Sequence, residues 1–288
     1  MTGFSVLLPV YAGDDPAYFA RALRSVSADQ LRRPAEIVIV RDGPVPASVE
    51  RLIDAALAGE PVDGVPVVAV RIGHNRGLAG ALAEGLKACR HEIVARADAD
   101  DISLPGRFAA QLSAVTGEDG RRPLDLLGAA IQEFETDEES PGIVRVLPAE
   151  ADEIRQVARF RDPFNHPTVV YRRSAVAAAG GYQTLAKMED YWLFARMLQS
   201  GARVANLTEP LVLYRVGAGA YRRRGGVEML HSEIRLQHAF IGSGFVSRAQ
   251  AARNVVVRGG YRLVPTAVRQ LAYRTMMRRA EEISGRSS

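Results

Sequence analysis

The 288-residue chain is 47 % hydrophobic and 24 % charged, a globular balance that excludes wholesale disorder and supplies ample apolar mass for a core. Its single cysteine, Cys89, excludes an internal disulfide and an intrachain thiolate metal cluster. The net charge of +4 is uneven: residues 217–288 hold 13 arginines against 4 glutamates, net +9, while residues 1–216 carry net −5.

The first half alternates two patterns. The run Phe4–Val10 is short and apolar and lacks a basic start, so it reads as a strand and not as a secretion signal. Pro16–Ser27 places Phe19, Leu23 and Val26 at helical spacing. The β-branched run Glu36–Val40 ends at the turn signal Arg41-Asp42-Gly43-Pro44. An amphipathic helix follows over 49–59, then a strand over 65–72 and a helix in which Leu78, Leu82 and Leu86 recur. The strand 91–97 runs into Asp98, Asp100 and Asp101. Continuous apolar strands separated by amphipathic helices predict a mostly parallel sheet covered on both faces.

Beyond Asp101 the rhythm changes. Helices are predicted over 104–115, 150–160 and 188–201, strands over 124–134, 142–147, 202–207 and 211–216, and a strand starting at His166, a short helix and a glycine stop over 166–182. The segment 217–226 reads as a mobile loop, and the remainder, from about His231, as helical and arginine-rich. No apolar run approaches the ~18 residues that a membrane helix needs.

Open parallel sheets bind ligands at the carboxyl ends of their strands. Three such ends carry polar groups: Pro9–Tyr11, Asp42 and the Asp98–Asp101 cluster. Three carboxylates in four residues repel one another and suit a hard divalent cation, Mg²⁺ or Mn²⁺; the plainer alternative is a solvated acidic turn with Asp101 or Ser103 capping the next helix. The pair Asp42–Gly43 is a turn by itself and a nucleotide contact only by its place. Glu189 and Asp190, in a helical first turn, are favoured there by the dipole; the same position would keep a general base ionised. His166 is either a hydrogen-bonded structural residue or an acceptor contact. Trp192 is either core or a stacking platform for a sugar.

Taken together, the segments SVLLPVY, EIVIVRDGP, NRGLAGALAEGL, ARADADDISLPGRF, NHPTVVYRRS, GGY, MEDYWLFARMLQSG and EPLVLYR resemble, in order over residues 4–216, the family 2 glycosyltransferases of the GT-A fold. The variants RDGP, DADDIS and NHPT are most similar to its exopolysaccharide and O-antigen branch, the amylovoran-type galactosyltransferases among them. The resemblance implies an α/β GT-A domain over 1–216, with a nucleotide-binding half over 1–101 and an acceptor half over 102–216. A basic loop and helical arginine-rich extension over 217–288 complete the chain.

The implied activity is inverting transfer of a sugar from a nucleoside-diphosphate sugar, a UDP-sugar by preference, to a hydroxyl of a saccharide or lipid-linked acceptor in cell-surface polysaccharide synthesis. Pro9, Tyr11, Asp42, Asn75, Arg76, Asp98 and Arg215 would contact the donor. Asp98 and Asp100 would hold the metal, Asp190 would be the base with Glu189 beside it, and Tyr221–Arg224 would fold over the donor diphosphate. Arg41 stands where many members have a first Asp. Rival readings are a non-catalytic nucleotide-sugar-binding protein and a sugar-1-phosphate nucleotidyltransferase, although the latter's Gly- and Arg-containing loop is replaced here by PVYAGDDP. A dinucleotide-dependent dehydrogenase lacks its glycine fingerprint. The tail has few interleaved aromatics, so nucleic acid is not the expected partner. An anionic membrane surface on the cytoplasmic side is, with the protein itself cytoplasmic or peripheral on that face.

Overall fold

The computed structural model describes residues 2–185, 187–216 and 226–260. Alternation along β1 (Phe4–Tyr11) sets the layers. Phe4, Val6, Leu8 and Val10 pack with Phe19 and Leu23 of α1 (Pro16–Ser25), Val49 and Ile53 of α2 (Ala47–Leu57) and Phe108 and Leu112 of α4 (Arg107–Thr116). Leu7, on the other face, packs with Leu82 and Leu86 of α3 (Gly77–Ala88) and Leu193 and Met197 of α7 (Glu189–Gln199). A side chain at Gly85 of α3 would collide with Leu7 and Val40, so glycine lets this helix lie close on the sheet.

Strands β2 (Glu36–Asp42), β3 (Val67–Ile72) and β4 (Ile93–Arg96) run parallel with β1 in the order β3-β2-β1-β4. The sheet continues through β8 (Val170–Arg172), antiparallel to β4, then β6 (Leu126–Phe134), β9 (Val204–Arg215) and β5 (Ile102–Ser103), with β7 (Val144–Arg145) paired to β6. This is the expected sheet flanked by helices. Since β2 and β4 both flank β1, Asp42 and the Asp98–Asp101 cluster open on one crevice.

Several elements differ from the sequence reading: β5 is not among the expected strands, and the strand expected from His166 opens with a 3-10 turn, His166–Thr168, before β8. The segments 202–207 and 211–216, expected as two strands, form one strand, β9. Its parallel pairing with β6 shifts register between Ala129 and Ile131, and Thr208 and Glu209 are passed over before Pro210 pairs with Ala130. Proline donates no ladder hydrogen bond, so it falls where the ladder is already irregular. The strand expected over 142–147 shrinks to the two residues of β7.

Helices α5 (Ala151–Val157) and α6 (Arg173–Ala178) complete the α3 side. Past the sheet, α8 (Val227–Gly242) and α9 (Arg248–Asn254) lead into a π-helical turn, Val255–Gly259. Met229, Leu236 and Phe240 of α8 bury against Tyr191 and Ala195 of α7, tying the C-terminal helices to the body. No helix of the described residues is long and apolar enough to cross a membrane. The predicted loop segment Tyr221–Arg224 and the arginine-rich stretch past residue 260 lie outside the described residues.

Candidate functional site

The ends of β1, β2 and β4 enclose a cavity of about 570 Å³, and Pro9, Tyr11, Asp42, Asn75, Asp98 and Arg215 line it. Its floor is stitched by the β2 turn. Gly43 takes φ +82°, and a Cβ there would stand 2.7 Å from the Asn75 backbone nitrogen. That close approach lets the Arg76 N–H donate to Asp42 Oδ1 at 2.7 Å and the Asn75 amide donate to the Asp42 carbonyl at 3.3 Å. The Arg76 guanidinium, expected at the donor, instead pairs with Glu84 at 2.8 Å and is off the cavity wall; the residue contributes its peptide N–H to the site. The Tyr11 ring, 48 % exposed, folds over Gly13, where a Cβ would meet its hydroxyl at 2.5 Å. Arg41 lies on the opposite face of β2 and pairs with Glu50 of α2 at 3.0 Å, because strand side chains alternate.

At the far wall, Asp98, Asp100 and Asp101 bring carboxylate oxygens within 4.8 Å of one another. Asp101 is buried: one oxygen accepts the Arg215 N–H at 2.9 Å, and the other has no hydrogen-bond partner. Burial first, then the charges of Asp98 and Asp100, push its carboxyl well above the usual range. The capping alternative therefore fails. Helix α4 begins after Gly106 without a side-chain cap, and the Ser103 hydroxyl accepts from Arg107 at 2.8 Å.

Beneath the cluster lie two fully buried arginines that sequence reasoning passed over. Arg96 forms a two-pronged ion pair with Asp98. Burial alone would lower its pKa, and Asp98 first, with Tyr182 and Asp101, more than reverses that. Arg107 donates to the Arg96 carbonyl at 2.6 Å and to Gln111 at 3.1 Å; burial, then the charge of Arg96, bring it down to about 9. Three hard oxygen donors within reach, one with an unpartnered buried oxygen, fit a divalent oxygen-loving cation. Arg215 closes this side. Its Nε donates to the Asp100 carbonyl at 3.0 Å, and its guanidinium stacks on Tyr18 at 3.7 Å and Phe134 at 4.3 Å.

A second cavity of about 560 Å³ adjoins the first, and Leu78, Arg96, Asp98 and Tyr214 line both. Asp190, at the start of α7, faces this second space together with His166, Asp162 and Arg258. Burial raises the Asp190 carboxyl, while the Tyr191 N–H, 2.8 Å away, and Arg96 hold it back. His166 Nδ1 stands 3.7 Å from the Asp190 carboxylate and Nε2 is 3.0 Å from the Tyr182 hydroxyl. Burial, then Arg96, hold the imidazole well below its usual pKa, hence neutral.

Glu189 lines neither cavity. Burial, then the Asp190 charge, push it up to about 7. Trp192 is not at the cavity either. Two helical residues separate directions by about 200°, so it turns away from Asp190. Its indole N–H donates to Gln183 at 2.9 Å and its ring tilts against Phe240. Asp162, raised by burial and then by Asp190, is a second acid in this cavity that the sequence reading missed; it sits in an aperiodic loop, with only the flanking Arg161 and Pro163 as a signal.

The family model for glycosyl transferase family 2 matches residues 5–120. The chain is 37 % identical over 273 residues to an amylovoran biosynthesis glycosyltransferase, AmsE, of Erwinia amylovora, covering 94 % of this chain and 97 % of that one. It is 32 % identical over 276 residues to the UDP-Gal:alpha-D-GlcNAc-diphosphoundecaprenol beta-1,3-galactosyltransferase of Escherichia coli, covering 96 % and 97 %. Among solved structures it superposes on S. aureus TarS 1–349 in complex with UDP-GlcNAc with TM-score 0.64 at 14 % identity, covering 88 % of this chain and 71 % of that one. It superposes on the mannosyltransferase PcManGT of Pyrobaculum calidifontis, in complex with GDP-Man and Mn²⁺, with TM-score 0.62 at 17 % identity, covering 95 % and 75 %. Both superpositions show the shared GT-A fold.

Proposed function

The chain belongs to the family 2 glycosyltransferases, and from that premise we propose that it transfers a sugar, with inversion, from a UDP-sugar to a hydroxyl of a lipid-linked saccharide in cell-surface polysaccharide synthesis. The observation that carries this reading is the shared wall. A cavity with a carboxylate cluster and a clamped arginine abuts a cavity that holds Asp190 beside a neutral histidine, and Asp98 borders both. That arrangement suits two substrates meeting at one bond. The likeness to a relative with UDP-Gal and diphosphoundecaprenol in its name favours a uridine donor and a lipid-linked acceptor.

In the first cavity, Tyr11, Asp42 and Asn75 hold the nucleoside, and Arg215, fixed between two rings, meets the diphosphate. Asp98 and Asp100, with Asp101 beside them, would hold Mg²⁺ or Mn²⁺, which when bound neutralises charge on the departing diphosphate. In the second cavity, Asp190 takes the proton of the acceptor hydroxyl as that oxygen attacks the anomeric carbon from the face opposite the leaving group. A protonated Glu189 next to it lets Asp190 remain the ionised member of the pair. His166, neutral, orients Asp190 or the acceptor. The arginine-rich C-terminal part brings the protein peripherally to the anionic cytoplasmic face of the membrane, where such an acceptor lies.

The test is transfer by the purified chain with Mn²⁺, a panel of nucleotide-sugars and a lipid-linked sugar acceptor, with the anomeric configuration of the product read by NMR. Asp190→Asn is expected to keep donor binding and lose transfer by about 10²–10⁴-fold, the usual worth of a general base. Near-full transfer by that variant refutes the role of Asp190, and a retained anomeric configuration refutes inversion.

A further inference from the structure

A third hollow, of about 700 Å³, lies between the end of α5 and α9, outside the two cavities above. Arg155, Arg159, Arg161 and Arg253 stand on its walls with Phe160 and Val257, and no carboxylate does. The nearby Arg145 and Arg258, on the acceptor cavity, have Glu133 and Glu233 as partners. The four arginines of the hollow have no carboxylate partner among the described residues. Two are positioned: Arg155 donates to the Ala202 carbonyl at 3.1 Å, and Arg253 lies over the Phe160 ring at 4.8 Å. Four uncompensated guanidiniums around one space repel one another, and an anion relieves that repulsion. Their planar forks match phosphate oxygens two at a time.

Arg161 lines both this hollow and the acceptor cavity, so the two spaces are neighbours on one path. At the rim, Val256 and Val257 are 73 % and 52 % exposed, an apolar step beside the positive wall. We propose that the hollow binds the diphosphate of the acceptor, with the acceptor sugar reaching past Arg161 to Asp190 and the first lipid carbons resting on Val256 and Val257. This rests on the reading that the second cavity takes the acceptor. It adds a site that recognises what the sugar is attached to, separate from the site that recognises the sugar.

The test is the full chain carrying Arg159→Gln and Arg253→Gln, both exposed positions. Farnesyl diphosphate is titrated calorimetrically with UDP and Mn²⁺ saturating the donor cavity. The double variant is expected to bind it at least about tenfold more weakly, with UDP binding unchanged. For an acceptor sugar on a short alkyl diphosphate, the acceptor KM rises about tenfold or more while kcat and donor KM stay put; an alkyl glycoside of the same sugar without phosphates shows no change. Unchanged farnesyl diphosphate binding overturns the proposal. So does equal wild-type affinity for inorganic phosphate, which would make this a free-phosphate site. Loss of binding to phosphatidylglycerol vesicles with farnesyl diphosphate binding intact also overturns it, in favour of a membrane headgroup. If wild type transfers to no acceptor yet the variant loses diphosphate binding, the hollow stands as a diphosphate site and only the acceptor reading falls.

Discussion

Replacing Glu189 by Gln tests the electrostatics of the Glu189–Asp190 pair without touching either cavity wall. Glu189 is 9 % exposed, and burial, then Asp190, raise its pKa from 4.5 to about 7. An acid whose folded pKa lies above its unfolded value binds its proton more tightly in the native state. Stability therefore falls as pH rises from 4.5 to 7, and the penalty is full above 7. A shift of about 2.5 units corresponds to roughly 3 kcal/mol. Glutamine has the shape of the protonated acid and no charge to desolvate. Glu189→Gln is thus expected to match wild type near pH 4.5–5 and to be more stable by roughly 3 kcal/mol at pH 8. Urea unfolding at both pH values, without donor or metal, measures this. A stability difference that is the same at both pH values refutes the reasoning, because the substitution removes the one charge that burial and Asp190 make costly above pH 7.

Three further outcomes follow from the same geometry. Asp100→Asn should abolish metal-stimulated transfer and weaken donor binding, read by titrating Mn²⁺ against both; metal stimulation of wild-type size would contradict the cluster's role. Gly43→Ala places a Cβ 2.7 Å from the Asn75 nitrogen at φ +82°, so it should raise donor KM through a displaced Asn75–Arg76 segment and cost roughly 1–3 kcal/mol in unfolding. Arg41→Ala removes a partly exposed pair with Glu50 on the α2 side; it should cost under about 1 kcal/mol and leave donor KM unchanged for every nucleotide tested.

The half of the sheet that carries the first cavity is readable from the chain because β1, β2 and β4 are largely apolar runs that stop at Tyr11, Asp42 and Arg96. Alternation then decides which stops face the crevice: Asp42 does, and Arg41, one residue earlier, does not. The acceptor side is less readable. Asp190 is marked by its place in a helical first turn, but its companions come from an aperiodic loop, Asp162 and His166, and from the C-terminal part, Arg258. Helix rotation separates Trp192 from Asp190 although they are neighbours in sequence. The buried arginines are hidden for another reason. Arg96 ends a strand and Arg107 begins a helix, positions where composition suggests solvent; only the closure of the sheet over them puts both beneath the aspartates.

That buried pair bears on how the site can change over generations. Arg96 and Asp98 each satisfy the other, and Arg107 is held by the carbonyl of Arg96. Losing Asp98 alone strands a guanidinium in the interior; losing Arg96 alone leaves the aspartates with less to balance them. Each single step costs several kcal/mol of the order typical for a broken buried pair, whereas joint replacement by well-packed neutral residues can be nearly free. The aspartate cluster is thereby protected by epistasis. A lineage relinquishing it must cross a stability valley or exchange charges on both layers at once, while the Arg41 face of the same sheet can drift one residue at a time.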